Sequence, residues 1–589
     1  MTELTPKQFT PVTMGEPEYG SDLIAAALRE QGFPYICLNP GASYRGLHDS
    51  LVNYLGNEKP KIVLCMHEEH AVSIAHGWAK IMDRPLAVAV HSNVGLMHAS
   101  MGIFDAWCDR SPVVVLGATG PIDATKRRPW IEWIHTTIDQ GGLVRNYTKW
   151  DDEPGSAQAA VESIRRATML ATARPSGPVY VNLDVGIQEA KLDKVPALHD
   201  VGRFQPPPDA EPPRAELERA VAILKDAKKP VILCGRTTRS EDGWRERVKL
   251  AELLGAAVIT NSKLAASFPT THPLFIGETG AKLPGPILKR LKEADAVLSL
   301  DWLDPAGTLN QAFPPGAKSP PVISVSNDFH VHRGWNMDYQ GLPAVDVNLP
   351  TVPEAATARL IEALTPLKGA PKKYERRRLD GGKAPTSGPI DLMNLARVFA
   401  EVTRDQQLCL TTRPLGWPTN ANELEHPHDS IGHNGGGGVG AGPGVAIGAA
   451  LALRDMKSER LPVSVIGDGD FTMGMNALWT AAHERIPILF VVSNNRSYFN
   501  DEHHQQQVAR QRKRPPENAW VGQRLEDPVP NLLLLAKGQG LDGEGPITDL
   551  ADLPGALRRG LEKVRSGKAW VIDVHVPQEY CRDPLVELA

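Results

Sequence analysis

Short runs of β-branched and other apolar residues alternate with longer helical patterns through most of the chain. Between Lys61 and Thr119 the order is KIVLCMH, EEHAVSIAHGWAKIMD, PLAVAVHSN, VGLMHASMGIFDAWCD and PVVVLGAT. This alternation is typical of a parallel sheet covered by helices. The same rhythm returns after residue 215 and again after residue 390. The sequence therefore predicts an α/β protein with three doubly wound parallel-sheet domains.

Two segments interrupt this pattern. Phe204–Ala215 (FQPPPDAEPPRA) is too rich in proline for a helix or an inner strand, and Leu367–Pro389 is charged, rich in glycine and proline, and without periodicity. We interpret both as linkers. A chain of 589 residues also exceeds what one hydrophobic core usually spans. The predicted domains are residues 1–190, 215–365 and 390–589.

Composition limits the class of protein and of partner. The formal net charge is −5 and the lysines and arginines are scattered, so no nucleic-acid-binding surface is expected. No run of about 18 apolar residues occurs, and the N-terminus has no apolar core of signal-peptide length. The six cysteines form no CxxC pair, which favours a reducing compartment. We expect a cytoplasmic protein that acts on small molecules, without membrane association.

The most specific motif is VSVIGDGDFTMGMNALWTAAHERIPILFVVSNN, which predicts a strand, a helix and a second strand. Asp468 ends the first strand between Gly467 and Gly469, and Asn495 ends the second, 27 positions later. Because the carboxyl ends of two parallel strands lie side by side, both oxygen side chains can face one site. A carboxylate and an amide oxygen suit Mg²⁺ shared with a phosphate, which the glycines let backbone N–H groups approach.

This pattern resembles the GDG and NN signature of thiamin-diphosphate enzymes, specifically the superfamily of acetolactate synthase, pyruvate decarboxylase and benzoylformate decarboxylase. The order of the three units is similar over almost the whole chain. The resemblance implies a pyrimidine-binding, a central and a diphosphate-binding domain, with thiamin diphosphate and Mg²⁺ as cofactors. It implies that the metal takes the side chains of Asp468 and Asn495 and the main-chain carbonyl of Ser497. It also implies a homodimer or homotetramer with shared active sites, in which Glu68 of one chain meets Asp468 of another.

The segment HNGGGGVGAGPGVAIGAA (His433–Ala450) precedes a predicted helix. Its glycine spacing fits a dinucleotide fingerprint, but no apolar strand leads into it. The resemblance instead implies that the main-chain carbonyl of Gly437 accepts from the aminopyrimidine and that Val439 props the cofactor into its bent form.

Gly467, Gly469 and Asp470 are the predicted neighbours of the diphosphate. Asp470 stands where relatives often carry serine, so we expect it to be neutralised by Mg²⁺ or turned away. An EF-hand loop that begins at Asp468 is the alternative interpretation, but its sixth position needs glycine and holds Met473.

A glutamate at a strand-to-helix junction is the candidate catalytic group. In VLCMHEEHAVSIAHGWA, Glu68 shares a helical face with Val72 and Ala75, whereas Glu69 faces the other way. General acid–base work favours a carboxyl group in an apolar site. The resemblance implies that Glu68 protonates the pyrimidine ring, which lets the thiazolium C2 proton leave. The alternatives are a glutamate that only favours the helix dipole and a zinc site, although HEEH lacks the HExxH spacing.

Two segments resemble benzoylformate decarboxylase more than acetolactate synthase: Leu38–Ser43 (LNPGAS) and Val90–Gly95 (VHSNVG). His91 ends a strand at the edge where open α/β sheets place ligands, so it can relay protons or hold a carboxylate. The alternative is a histidine that only hydrogen-bonds a neighbouring loop. Ala42 stands where the decarboxylase has its serine, which leaves Ser43, with Asn93, as a substrate-side candidate.

Three further candidates lie later in the chain. His272 in FPTTHP resembles an active-site histidine of the same decarboxylase, but His-Pro also fits a structural turn. SYFNDEHHQQQ is polar for a helix that often caps the substrate pocket. Asn500 and His504 on that helix therefore face either a polar substrate or solvent.

The resemblance implies a lyase or transferase that cleaves or forms a C–C bond next to a carbonyl. Decarboxylation or carboligation of a 2-oxo acid or hydroxyketone is favoured, and an acetolactate-synthase-like carboligase or a 2-hydroxyacyl-CoA lyase is the alternative. FAD is not expected, because Leu300–Gly307 (LDWLDPAG) replaces the arginine-containing segment typical of acetolactate synthases, which disfavours a flavin-dependent oxidase. A non-catalytic binding homologue is opposed by the intact Glu68, Asp468 and Asn495.

Overall fold

The computed structural model describes residues 9–13, 15–196, 200–280, 282–330, 341–379, 382–418 and 421–579. The strands of the described residues form three sheets of six, six and five strands, each parallel, so the predicted fold class is confirmed. The chain divides into two units, one of residues 1–76 and 84–207 and one of residues 77–83 and 208–589. The division at residue 207 falls inside the predicted linker; the domain limits themselves stay predictions.

The first sheet belongs to the first unit. Its strands are Tyr35–Leu38 (β1), Lys61–Leu64 (β2), Leu86–Ala89 (β3), Val113–Thr119 (β4), Asp151–Asp152 (β5) and Val179–Asp184 (β6). The α-helices around it are Gly20–Glu30 (α1), Arg45–Asp49 (α2), Glu68–Met82 (α3), Ser92–Cys108 (α4), Glu132–His135 (α5), Ala157–Thr172 (α6) and Val185–Glu189 (α7). The strand order is β2-β1-β3-β4-β6-β5.

Burial explains why these apolar runs form inner strands. Every residue of β4 and of β6 is buried, as expected for a parallel sheet covered on both faces. The core on one face joins residues of α1, the sheet and α6, such as Leu28, Leu116 and Ile164. The polar loops that follow β1, β2 and β3 are left at the carboxyl edge of the sheet.

The second sheet is formed by Pro230–Cys234 (β7), Ala257–Asn261 (β8), Phe275–Thr279 (β9), Ala296–Leu300 (β10), Val322–Val325 (β11) and Val347–Leu349 (β12). Its α-helices are Arg214–Asp226 (α8), Glu241–Leu254 (α9), Gly285–Lys292 (α10), Pro305–Ala312 (α11) and Pro353–Lys368 (α12). The strand order is β12-β11-β10-β7-β8-β9, so the chain changes direction between β7 and β10.

The third sheet is formed by Leu408–Thr412 (β13), Leu461–Gly467 (β14), Leu489–Asn494 (β15), Asp542–Ile547 (β16) and Trp570–His575 (β17), in the order β13-β14-β15-β17-β16. Its α-helices are Leu392–Thr403 (α13), Gly442–Asp455 (α14), Asp468–Met473 (α15), Asn476–His483 (α16), Phe499–Gln511 (α17), Leu532–Gly538 (α18) and Leu553–Arg565 (α19). The small apolar residues of α14 are buried from Gly442 to Leu453, which is typical of a helix enclosed on all sides.

Within the described ranges, no helix has both the length and the apolar character that crossing a lipid bilayer requires.

Candidate active site

Two groups of polar side chains follow the carboxyl ends of strands, and each lies within its own unit. The Glu68 region consists of Ser43, His67, Glu68, His91 and His98, on the segments after β1, β2 and β3. The Asp468 region consists of Asp468, Asp470, Asn495, Ser497 and the loop 434–442. Open α/β sheets bind ligands at this edge, so both regions are candidates for a site.

Glu68 begins α3 and is buried, with 6% of its surface exposed, whereas Glu69 is only partly buried. The side chain therefore lies on the inward face that the helical pattern predicts. Its Oε1 lies against the first turn of α4, where a Cβ at Gly95 would come within 2.9 Å of it. Its Oε2 is 3.2 Å from Nδ1 of His98. Gly95 thus gives the carboxylate room, and His98 is its hydrogen-bond partner.

The rings of His67 and His98 stack beside this carboxylate, with 5.0 Å between centroids and an interplanar angle of 20°. Nδ1 of His67 accepts from the backbone N–H of Glu69 at 3.2 Å, so the neutral ring carries its proton on Nε2. Burial lowers the pKa of His67, with His98 contributing in the same direction and Glu68 opposing it. His67 is therefore an uncharged neighbour of the carboxylate at neutral pH.

A metal site is the other use that these side chains could have. Across the described part of the chain, one group of three possible ligands is found, His67, Glu68 and His98, with ligand atoms within 4.8 Å of one another. Because the two imidazoles are stacked, an ion at about 2 Å from a nitrogen of each cannot lie in both ring planes. The arrangement fits hydrogen bonding around a carboxylate better than coordination of zinc.

His91 follows β3 and is partly buried. Its Nδ1 is 2.8 Å from Oγ of Ser43, which in turn accepts from the backbone N–H of Ser92 at 3.1 Å. The serine oxygen has a second lone pair, so Nδ1 of His91 either accepts from the Ser43 hydroxyl or donates to its oxygen, depending on the tautomer. Burial lowers the pKa of His91, and His135 adds to this effect. Ser43 therefore orients the imidazole.

The backbone around His91 is tightly constrained. A Cβ at Gly41 would lie 2.4 Å from the Cβ of His91, so the loop after β1 packs directly on this histidine. Ser92 is fully buried and has φ +41°, a left-handed conformation that is uncommon outside glycine. Such strain costs about 1–3 kcal/mol and concentrates at functional sites. Asn93 is the next residue, and its Oδ1 accepts from Oγ of Ser92 at 3.2 Å.

His135 and His98 are residues of this region that the sequence analysis missed. His135 ends α5, and its ring meets that of His91 edge to face at 4.6 Å between centroids. No motif marks His135, because only the fold brings α5 to the end of β3. His98 carried a signal, since it follows His91 by seven positions, the spacing of one helical face.

The structure brings Asp468 to the loop that carries Asn495, as the strand–helix–strand pattern predicts. β14 and β15 pair with Gly467 opposite Ser493, and the backbone N–H of Arg496 donates to the Asp468 carboxylate. Asp468 is buried, and its Oδ2 has no hydrogen-bond partner within the described residues. Burial raises the pKa of Asp468 to about 6 against the smaller effect of the backbone donors. A buried carboxylate oxygen of this kind suits a hard divalent cation.

The loop of Asn495 and Ser497 is held by hydrogen bonds. Asn495 Oδ1 accepts from the Ser497 N–H at 2.9 Å, and Ser497 Oγ donates to Glu502 Oε2 at 2.8 Å. Glu502 is buried and also accepts from Arg524 at 2.9 Å. Arg496, between the two predicted ligands, has φ +57°. Glu502 and Arg524, which the sequence analysis missed, therefore fix the loop from behind.

Asp470 is turned toward the glycine-rich loop of the same region. Its Oδ1 accepts from the backbone N–H groups of Gly440 at 2.6 Å and of Gly442 at 3.2 Å. Gly442 begins α14, so the carboxylate meets donors that a helix start leaves unpaired. Burial raises the pKa of Asp470 to about 6, and these two donors oppose that rise. Asp470 supports the loop from the side of α15.

The remaining predicted cofactor residues line the same region. Gly437 has φ +69°, a conformation that favours glycine, and nothing lies within 4 Å of the position a Cβ would take. Val439 is 44% exposed. The Cβ position at Gly467 is likewise open, whereas a Cβ at Gly469 would come within 2.7 Å of the Tyr498 ring. The roles assigned to these residues in cofactor binding stay predictions.

His272 is enclosed in the central sheet's domain, with only 1% of its surface exposed. Its Nε2 is 3.2 Å from Oε1 of Glu252, and its Nδ1 accepts from the backbone N–H of Leu274 at 3.1 Å. The ring also packs against Phe268 and Tyr374, at 5.3 and 5.2 Å between centroids. Because both ring nitrogens are engaged, these contacts favour the structural turn over a catalytic role.

The two substrate-side candidates on α17 differ in exposure. Asn500 is partly buried in the first turn, and His504 is exposed one turn later. A contact with substrate stays a prediction for both.

The carboxyl edge of the second sheet is closely packed between β7 and β10. A Cβ at Gly235 would lie 2.1 Å from the carbonyl oxygen of Asp301, and Trp302 is buried. The partly buried Arg236 and the buried Asp328 form an ion pair at 3.5 Å on the same edge. A doubly wound sheet would bind a nucleotide at such a crossover point. The predicted lack of FAD is not tested by this packing and stays a prediction.

Three family models match the chain. They describe the N-terminal TPP binding domain of thiamine pyrophosphate enzymes over residues 19–143, the central domain over residues 217–332 and the C-terminal TPP binding domain over residues 414–574. Together the matched ranges cover more than half of the chain.

The sequence identity to individual relatives is low, although the alignments span most of their length. Benzoylformate decarboxylase of Pseudomonas aeruginosa is 26% identical over 480 residues, which covers 80% of this chain and 85% of the relative. The acetolactate synthase large subunit of Haemophilus influenzae is 23% identical over 497 residues, with 81% and 82% covered. The crystal structure of benzoylformate decarboxylase from Polynucleobacter necessarius superposes with a TM-score of 0.77 at 19% identity and covers 96% of this chain and 99% of that chain. This last likeness concerns the fold alone.

Proposed function

We propose that this chain, which belongs to the thiamine pyrophosphate enzyme family, is a Mg²⁺-dependent decarboxylase of 2-oxo acids. When bound, thiamin diphosphate supplies an electron sink for a bond that breaks next to a carbonyl. In the proposal, the Asp468 region holds the cofactor and the metal, and the Glu68 region moves protons.

The unpaired Asp468 Oδ2 supports the metal part of the proposal. Its pKa of about 6 leaves the carboxyl group mostly ionised at neutral pH, and a buried charge without a partner is costly. A divalent cation held by Asp468, the Asn495 side chain and the Ser497 carbonyl would remove that cost. The diphosphate would then meet the cation instead of a bare carboxylate. The Gly437 carbonyl and Val439 would hold the pyrimidine ring.

Glu68 is the group that exchanges a proton with the pyrimidine ring in this proposal. Its burial keeps competing water away, and a side chain at position 95 would crowd its Oε1, which glycine avoids. A carboxyl group that can both give and take a proton in a dry site is suited to general acid–base catalysis.

His91 handles the protons of the substrate in this proposal. With Nδ1 engaged by Ser43, proton transfer runs through Nε2. Burial lowers the pKa of His91, so its protonated form gives up a proton more readily. We assign to it the protonation of the carbon from which CO₂ has left.

The Ser43–His91 hydrogen bond is the single observation that carries the decarboxylase assignment. A decarboxylase needs a proton donor at the reacting carbon, whereas a carboligase needs a second carbonyl substrate there. An oriented imidazole at the carboxyl edge of the sheet therefore favours decarboxylation. We further propose a homodimer or homotetramer, which light scattering of the purified protein measures.

A panel of aliphatic and aromatic 2-oxo acids tests the reaction. Each acid is incubated with the protein, thiamin diphosphate and Mg²⁺, and CO₂ and aldehyde are measured with and without an added aldehyde or second 2-oxo acid. We expect equal amounts of CO₂ and aldehyde without any acceptor. Turnover that requires the acceptor would support the acetolactate-synthase-like carboligase instead, and oxygen uptake would support an oxidase.

A further inference from the structure

The loop that carries Asn495 and Ser497 pairs with a second segment of the same unit. Residues 495–498 form the Asn495 loop, and residues 523–525 form the Arg524 segment. Ser497 and Arg524 make an antiparallel β-bridge, with backbone hydrogen bonds of 2.8 and 2.9 Å on either side of it. The Arg524 segment therefore supports the backbone of the Asn495 loop directly.

A buried carboxylate joins the side chains of the same two segments. Glu502, on α17, is 2% exposed, and its Oε2 accepts from Ser497 Oγ at 2.8 Å. Arg524 donates to both oxygens of Glu502, from Nη2 to Oε1 at 2.9 Å and from Nε to Oε2 at 3.2 Å. A bidentate pair of this kind fixes direction as well as distance. Arg524 therefore holds Ser497 twice, through the backbone bridge and through Glu502.

The Asn495 loop also contacts the turn that carries Asp468. The ring of Tyr498 lies against Gly469, where a Cβ would come within 2.7 Å of it. Glycine at this position thus allows the loop and the turn to approach closely. Because the Arg524 segment holds the loop, any shift of that segment would move the loop relative to Asp468.

We propose that Glu502 and Arg524 are positioning residues that set the affinity of the proposed Mg²⁺ site. They hold the Asn495 side chain and the Ser497 carbonyl in one arrangement relative to Asp468. Mg²⁺ demands near-ideal octahedral geometry, so its binding is sensitive to such placement. Because coupling between two sites is reciprocal, cation binding should in turn stabilise the Arg524 segment. This inference rests on the metal site of the proposed function.

The direction of the change in affinity separates positioning from simple electrostatics. Arg524→Met removes a positive charge beside the site, so electrostatics alone would strengthen cation binding, whereas lost positioning weakens it. Ser497→Ala removes the hydroxyl contact but keeps the main-chain carbonyl and every charge, so electrostatics alone would leave the affinity unchanged. Arg559→Met is the matched control, because it breaks the ion pair of Arg559 with Glu544, at 2.7 Å, elsewhere in the same unit.

Titration with Mn²⁺ in the presence of thiamin diphosphate measures the affinity, with free Mn²⁺ followed by electron paramagnetic resonance. We expect both variants to bind Mn²⁺ roughly 10–100-fold more weakly than the wild type, the usual cost of removing a group behind a metal ligand. The control should match the wild type. Wild-type or tighter binding in either folded variant would overturn the proposal even if thermal stability falls, since the contact would then be structural only. If Arg524→Met does not fold, Ser497→Ala decides.

Amide hydrogen exchange of the cofactor-free protein tests the contact itself. In Arg524→Met, the protection factor of residues 494–500 should fall by roughly tenfold or more, since a hydrogen bond to a charged group usually contributes that much. Unchanged protection would show that Arg524 does not hold the Asn495 loop and would overturn the proposal, whatever the enzyme's reaction proves to be.

The reverse coupling is measured on the wild type. Mn²⁺ with thiamin diphosphate should raise the protection of residues 520–526, and no rise in a protein that binds Mn²⁺ would contradict the positioning role. If the wild type binds no Mn²⁺ with thiamin diphosphate, the proposed function fails. If it binds Mn²⁺ and the folded variants bind it equally well, only the positioning role fails.

Discussion

Burial shifts the pKa values of titratable groups in opposite directions in the Glu68 region and the Asp468 region. Burial disfavours the charged form of a titratable group, whichever sign that charge has. In the Glu68 region, burial lowers the pKa of the His91 imidazole. It also lowers the pKa of His70 on α3, to about 4. In the Asp468 region, it raises the pKa of Asp468 and Asp470 to about 6. At neutral pH these imidazoles are neutral and the carboxylates are charged.

This difference assigns different work to the two regions. Neutral imidazoles can take up and release protons without a counter-ion, so the Glu68 region is equipped for proton transfer. A buried, ionised carboxylate with an unpaired oxygen, as in Asp468, is costly without a cation, which supports the proposed metal site in the Asp468 region. The two regions also have one backbone feature in common. In each, a residue with positive φ directly follows a candidate site residue: Ser92 follows His91, and Arg496 follows Asn495.

Of the substitutions considered, removal of the Asp468 carboxylate should have the largest effect, which is a loss of cofactor affinity. Asp468→Ala should lower the affinity for thiamin diphosphate with Mg²⁺ by on the order of 100-fold or more, since even the groups behind metal ligands are worth about 10–100-fold. Calorimetric titration of the variant measures it, with Asp501→Ala, an exposed carboxylate of α17, as the control. An unchanged affinity in a folded Asp468→Ala protein would remove the metal from this region.

His91→Ala should impair proton transfer in the Glu68 region without affecting cofactor binding in the Asp468 region. We expect turnover of an identified substrate to fall by roughly 10²–10⁴-fold, the usual range for a positioned acid or base. Cofactor affinity and hydrogen–deuterium exchange at C2 of thiamin diphosphate should barely change, because Glu68 remains. Steady-state kinetics checks this, with His48→Ala, which removes an exposed histidine of α2, as the control. Wild-type turnover would make His91 a structural histidine and shift the preference to a carboligase.

Asp470 differs from the other candidate carboxylates because its proposed role is to support a loop, without donating or accepting a proton in the reaction. Asp470→Ala leaves the N–H groups of Gly440 and Gly442 without their acceptor, at a cost of about 1–3 kcal/mol for each that stays unsatisfied. Asp470→Asn keeps an oxygen acceptor. Thermal unfolding should therefore show a clear loss for alanine and little for asparagine. Equal losses in both variants would mean that the charge, and not the acceptor, matters.

The smallest expected effect is an opposite response of the two regions to pH. The pKa of His70 is about 4, below its ordinary 6.5, so its contribution to stability is complete above pH 6.5 and is lost as pH falls toward 4. The pKa of Asp468 is about 6, above its ordinary 3.8, so stability is lost as pH rises from 3.8 through 6. Cofactor-free protein should lose amide-exchange protection in residues 67–98 at pH 5 and in residues 434–475 at pH 7.5.

After correction for intrinsic exchange rates, the protection factor of each segment should fall about tenfold, which corresponds to about 1.4 kcal/mol. Mass spectrometry of peptides from the two segments measures it. Protection that moves in the same direction in both segments would contradict the comparison.

Much of the fold could be predicted because its inner strands are apolar. β3, β4, β14 and β15 all coincide with apolar runs of the sequence. Of the strands that the pattern did not mark, β5, β9, β12 and β16 lie at sheet edges, whereas β1 is a short inner strand of four residues. β16, for example, has the sequence DGEGPI. Edge strands are half covered and tolerate glycine, proline and charge, so they carry little apolar signal.

The candidate site divides in the same way. Glu68, His91, Asp468 and Asn495 could be predicted because each follows a recognisable strand. The contact of Ser43 with His91, the turn of Asp470 toward Gly440 and the approach of His135 depend on how separate loops pack. The enclosure of His272 by Glu252 and Tyr374 likewise has no local sequence signal, and its catalytic role stays a prediction.

In the proposed mechanism, the Asp468 region holds the cofactor and Glu68 moves its proton. Hydrogen–deuterium exchange at C2 of thiamin diphosphate bound to Glu68→Gln tests it most directly, because an amide keeps the shape of the side chain but cannot exchange the proton. We expect exchange slowed by roughly 10²–10⁴-fold, with cofactor affinity near that of the wild type. Exchange at the wild-type rate in the loaded variant would contradict it.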